Sequence, residues 1–150
     1  MLKKRLIAVL IIRNGQVVQS VRFKHTNVIH YNPVHAIDSF NKWAVDEIVI
    51  LNVDRKPENK EHFVNVLSDI SRHCFVPLSA GGWINDENYA EQLLRNGADK
   101  LVLNTALSSN PKLVKSLSKR YGKQCIVISI DAIAENDFSL CGSRPRQGNN

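Results

Sequence analysis

The sequence predicts an α/β fold, the N-terminal half of a (βα)₈ TIM barrel, with five parallel strands and a short hairpin after the first. Three observations carry this reading. Apolar runs too short for helices alternate with segments of helical period, the pattern of βα units on a parallel sheet. The runs are nearly continuous in Val, Ile, Leu and Ala, as strands covered on both faces are. A five-strand parallel sheet would leave unpaired edges that only a closed barrel removes, yet such a barrel takes about 250 residues, and the chain has 150.

The predicted strands run from Leu6 to Ile12, Ile48 to Val53, Phe75 to Ala80, Leu101 to Leu103 and Cys125 to Ile130. Asn14-Gly15, followed by Val17 and Val18, turns the first strand back as a hairpin, because Asn-Gly supplies the positive φ of a two-residue turn. Pro33 starts a helix whose Ile37, Phe40 and Trp43 share one face, and Phe63, Leu67 and Ile70 repeat that spacing in a second. Asp86 is a fitting N-cap for a helix carrying Tyr89, Leu93 and Leu94 and stopped by Asn96-Gly97. Asn110-Pro111 opens a fourth, with Leu113, Val114 and Leu117, that ends near Gly122. A faint repeat relates Ala44-Val45-Asp46-Glu47-Ile48-Val49-Ile50 to Gly97-Ala98-Asp99-Lys100-Leu101-Val102-Leu103, two βα junctions or a chance likeness. The pattern decays after Asp131, so residues 1–132 read as the half barrel and 133–150 as an irregular or disordered tail.

A hydrophobic fraction of 43% with 23% charged residues is that of a soluble globular chain. The formal charge of +6 suits an anionic ligand. The basic residues are dispersed, without a dense run or interleaved aromatics, which weighs against nucleic acid and for a phosphorylated metabolite. Cys74, Cys125 and Cys141 lack C-x-x-C spacing, so neither a disulfide framework nor a zinc site is expected, and a reducing cytoplasm fits best. The start MLKKRLIAVLII reads as a buried strand and not a signal peptide, and no run approaches the about 20 apolar residues of a membrane span. His25, His30, His35, His62 and His73 show no metal-ligand spacing, so no metal is expected.

The phrases MLKKRLIAVLI, NGQVV, DEIVILN, AGGWI, NGADKLVLNTA, NP and VISIDA, in this order from residue 1 to about 132, resemble the cyclase subunit family of imidazole glycerol phosphate synthase. The resemblance implies a lyase-type barrel without cofactor, fed with ammonia by a glutaminase subunit. It implies catalysis by two aspartates at the tops of the first and fifth strands. Asp131 matches the second of these; taken alone it is equally an N-cap or loop ligand. Ile11 stands where the first belongs, and a hydrocarbon cannot relay a proton. Asn52 replaces a further aspartate of the second strand, with Asp54 two residues on. Gly81, Gly82, Asn104 and Thr105 match the site for one substrate phosphate, where small residues let backbone N–H groups approach the anion and a following helix start assists. Without the resemblance, Gly-Gly is as readily a tight βα turn. Trp83 replaces the family's third glycine, narrowing that site or covering the ligand.

At the opposite end, Arg5, Glu47 and Lys100 match members of the ring that gates ammonia entry, and Asp99 matches a residue at the glutaminase contact. By themselves such charges read as solvated strand starts. Lys24 and His25 fall in a loop that closes over substrate in the family. Ile11, Gln19 (where the family has Lys) and Trp83 resemble the branch linked to acetamidino modification of bacterial surface sugars. The expected partners are therefore a glutaminase and a phosphorylated or nucleotide-linked substrate. The alternatives are authentic formation of imidazole glycerol phosphate and AICAR from PRFAR, and a non-catalytic half-barrel scaffold. A half barrel with open edges is also expected to self-associate.

Overall fold

The computed structural model describes residues 4–21, 25–56 and 59–132. The expected tail, Lys24 and Cys141 lie outside the described residues. Strand β1 (Ile7–Arg13) runs into a two-residue turn, with φ of 49° at Asn14 and 73° at Gly15, and returns as β2 (Gln16–Val21). Ile12 pairs with Val17 and Arg13 with Gln16, antiparallel, as the Asn-Gly signal requires. A further strand, β3 (His25–His30), pairs with β2, so His25 opens a strand instead of lying in a loop. Then follow α1 (Pro33–Lys42), β4 (Glu47–Asn52), α2 (Lys60–Ser71), β5 (Leu78–Gly81), α3 (Glu87–Arg95), β6 (Lys100–Leu103), the short α4 (Ala106–Ser109), α5 (Pro111–Tyr121) and β7 (Ile126–Ile128). The sheet order is β3-β2-β1-β4-β5-β6-β7, with β1, β4, β5, β6 and β7 mutually parallel.

Strand period sorts the side chains into two sets. Register puts Leu10 and Ile12 beside Ile50 and Asn52, then Ala80, Leu101 and Leu103, on the face that the helices cover. Phe63, Leu67, Ile70, Tyr89, Leu93, Leu113 and Leu117 pack there, nearly all without exposure. The opposite face carries Ile7, Val9, Ile11, Glu47, Val49, Leu51, Ser79, Gly81, Val102 and Val127. It lacks a helix layer, and Val9 is 55% exposed where Leu10 is 4%. The expectation that every strand is covered on both faces is corrected here: among the described residues, β1 shows one face to solvent.

Caps explain where the helices begin. Asn32, Asp86 and Asn110 each accept a hydrogen bond from a first-turn N–H, at Val34, Tyr89 and Leu113, satisfying donors with no intrahelical partner. Two expectations shift. Strand β5 starts at Leu78, because Pro77 has no N–H to give to the ladder and Phe75 is 84% exposed. Trp43 is the C-cap of α1 and points to solvent, outside the apolar stripe.

Candidate functional site

The strand starts gather one polar cluster. Glu47, 4% exposed, heads β4 on the uncovered face. Its Oε1 accepts from Lys100 Nζ at 2.8 Å and from Ser79 Oγ at 3.0 Å, and Arg5 Nη1 lies 3.8 Å from Oε2. Burial alone would raise the Glu47 carboxyl, but the Lys100 and Ser79 hydrogen bonds and the Lys100 and Arg5 charges hold it below the usual carboxylate range. The three charges expected to converge do so. Ser79 was not anticipated, although a serine within the apolar run Leu78–Gly81 is a hydroxyl that needs a partner.

Asp99, expected at a partner contact, has a second engagement. Its backbone N–H donates to Leu78 O at 2.7 Å while its Oδ2 accepts from Leu78 N at 2.8 Å. Asp46 does the same to Leu6, at 2.8 and 2.7 Å. Before each stands a residue at positive φ, Ala44 (52°) and Gly97 (107°). The faint repeat is thus one βα junction used twice.

The strand ends gather a second cluster. Asn104, just past β6, donates from Nδ2 to Asp131 Oδ2 at 3.2 Å, so a residue expected to hold phosphate touches the one expected to move protons. Gly81 is packed so closely on β6 that a Cβ would lie 2.6 Å from Val102 O. Gly82, at φ 106°, meets Asn52 O in the same way. The fold itself therefore requires the Gly-Gly pair. Thr105 is exposed and precedes α4. The expected help from helix starts is weak: α4 has 4 residues, and the Asp86 carboxylate already occupies the start of α3.

Trp83 adopts φ 58°, the left-handed region that favours glycine. Its indole donates to Asp54 O at 2.8 Å, toward the loop after β4 and on the other side of β5 from Asn104. The indole is thus held on the β4 side, while Asn104 stands on the β6 side. Ile11, in the place of a first-strand aspartate, lies on the uncovered face beside Leu51. His30 and His35 pack edge to face at 5.1 Å, and no group of three metal-capable side chains occurs among the described residues. No described helix is long and apolar enough to cross a membrane.

A model of the family described as histidine biosynthesis protein matches residues 5–147. The chain belongs to that family. Among histidine biosynthesis relatives, a Vibrio vulnificus (strain YJ016) protein, provisionally named imidazole glycerol phosphate synthase subunit hisF2, is 39% identical over 137 residues, 91% of this chain and 50% of its own length. Imidazole glycerol phosphate synthase subunit HisF of Staphylococcus saprophyticus is 35% identical over 139 residues, 93% of this chain and 55% of its own. That of Streptococcus mutans is 34% identical over 139 residues, again 93% and 55%. The chain spans about half the length of the curated relatives it matches. In this family the parallel sheet with its N-terminal hairpin is half of a (βα)₈ barrel.

Proposed function

We propose that the chain is the cyclase-type part of an imidazole glycerol phosphate synthase-like glutamine amidotransferase. It takes ammonia from a glutaminase at the Glu47 rim and uses it on a phosphorylated or nucleotide-linked sugar at the Asp131 rim. The observation that carries this reading is the placement of two polar clusters at opposite ends of one parallel sheet, with Val49, Leu51 and Val102 on the face between them. Neutral ammonia can pass along such an apolar face; a charged ammonium ion, which would need hydration, is disfavoured there. The Arg5–Glu47–Lys100 cluster acts as the entry gate. Asp99 lies beside it as the glutaminase contact, and Gly81, Gly82, Asn104 and Thr105 hold a substrate phosphate.

At the other rim Asp131 exchanges protons with the substrate's nitrogen groups, and Asn104 fixes its orientation. Ile11 cannot serve as the second carboxylate. One acid or base contributes about 10²–10⁴-fold, so cyclisation by the two-carboxylate route is disfavoured. Ile11, Gln19 and Trp83 support the branch linked to amidino modification of a bacterial surface sugar. Retention of Asp131, Asn104 and Thr105 favours the second reading, authentic imidazole glycerol phosphate formation.

The test is turnover of PRFAR with ammonia and with a glutaminase subunit plus glutamine, alongside glutaminase binding. Binding with at most background PRFAR turnover is expected. Rapid turnover would establish the second reading, and absence of glutaminase binding would sink the amidotransferase assignment.

A further inference from the structure

Where β1, β4 and β5 end, the described residues hold a polar knot that neither cluster above includes. Its centre is Asp54, 2% exposed. The Asp54 carboxylate accepts from the Asn14 backbone N–H at 2.6 Å, a short charge-assisted bond to the hairpin turn. Its own N–H donates to Asn52 Oδ1 at 2.9 Å, and its carbonyl accepts the Trp83 indole N–H. Asn59, ahead of α2, donates from Nδ2 to Asn14 Oδ1 at 3.3 Å. On the inner side lie the buried Asn52 Nδ2 and Tyr89 hydroxyl, without a partner of good geometry among the described residues. Burial pushes the Tyr89 phenol up to about 12, against the nearby Asn52 amide and aided by the Asp54 and Asp86 charges.

We propose that Asp54 is a positioning residue of the functional rim: it ties the hairpin turn, the end of β4 and the Trp83 loop together, and so keeps the indole on the β4 side, off the phosphate corner proposed at Gly82 and Asn104. Three features support this. A buried carboxylate is costly unless it is hydrogen-bonded, and this one spends its bond on a turn 40 residues away in sequence. Trp83 holds a backbone conformation that is costly for a side-chain-bearing residue and persists only where neighbours over-determine it. The bond to Asp54 O is such a constraint. The third is direction: the indole bond runs toward β4, so its loss frees a large aromatic ring beside the anion corner.

The inference rests on the reading of that corner as a phosphate site, and the experiment separates the two. In a Trp43→Phe background, which leaves Trp83 as the sole indole, emission is recorded while inorganic phosphate is titrated into the whole chain. Asp54→Ala is expected to red-shift Trp83 emission and weaken phosphate binding about tenfold or more, with far-UV dichroism unchanged. Asp54→Asn, which retains an acceptor for the Asn14 N–H, is expected to restore both. Asn104→Ala should weaken phosphate binding without moving the emission. If Asp54→Ala does not fold, Asp54→Glu takes its place, since its displaced carboxylate must still shift the indole. A folded variant with unchanged emission overturns the proposal. If the parent chain binds no phosphate, the corner reading fails, while the emission shift and its rescue still decide the role of Asp54.

Discussion

Ala44 holds φ 52° with a Cβ, while its counterpart Gly97 holds 107° without one. Ala44→Gly is accordingly expected to raise stability by about 0.5–1 kcal/mol in urea denaturation. Gly97→Ala is expected to lower it by more, since the new methyl meets Ser71. Glu47 supplies a pH signature. Its folded carboxyl lies below its unfolded value, so the unfolded state binds the extra proton. The stability it contributes is therefore complete above the unfolded value of about 4.3 and is lost as pH falls through the lower folded value. Glu47→Gln should remove that segment of the acid profile and cost about 1–2 kcal/mol at neutral pH, because Lys100 keeps some access to water. Unchanged acid unfolding would contradict this. At this scale the sequence was legible where a residue type has one use: Asn14-Gly15 for a turn, Asp86 and Asn110 for caps. It was silent on the partners of Ser79 and Asp54, because a hydroxyl inside an apolar run or a carboxylate just past one does not say which distant strand or turn supplies its partner.

Between elements, the two copies of the βα junction show how a strand is docked. Asp46 clamps the N–H of Leu6, just ahead of β1, and Asp99 that of Leu78, the first of β5, each with a carboxylate oxygen. Asp99→Ala is expected to cost about 1–2 kcal/mol by orphaning Leu78 N–H, whereas Asp99→Asn, which keeps an acceptor, should cost less than half of that by the same denaturation measurement. Equal effects would mean that charge, not the clamp, carries the stability, and would strengthen the reading of Asp99 as a partner contact alone. Helix periodicity identified α1, α2, α3 and α5, because each buries one stripe of Leu, Ile, Phe or Tyr. It overlooked α4, too short to show a period. It also carried Trp43 into the stripe of α1, although the helix ends one residue earlier.

Across the molecule, the parallel part of the sheet and its two rims followed from alternation, since a parallel βα repeat sends every strand start to one end and every strand end to the other, whereas β3 at the sheet edge did not. The open face did not follow, because continuous apolar runs look alike whether or not a second layer is present. Ile7 and Val9 are 45% and 55% exposed on it, beside β1 residues that pair with β2 only at Ile12 and Arg13. Expressed as these 150 residues, the chain is expected to self-associate, and Val9→Glu should shift it toward monomer in sedimentation velocity at micromolar concentration. A monodisperse parent would refute that. The central claim is that ammonia entry and substrate chemistry lie at opposite rims. Its most direct test is amide hydrogen exchange of the chain with and without a glutaminase subunit. Slowed exchange is predicted around Arg5, Glu47, Ser79 and Lys100, with Gly82, Trp83, Asn104 and Thr105 unchanged. Protection centred on the latter group, or shared by both, would contradict it.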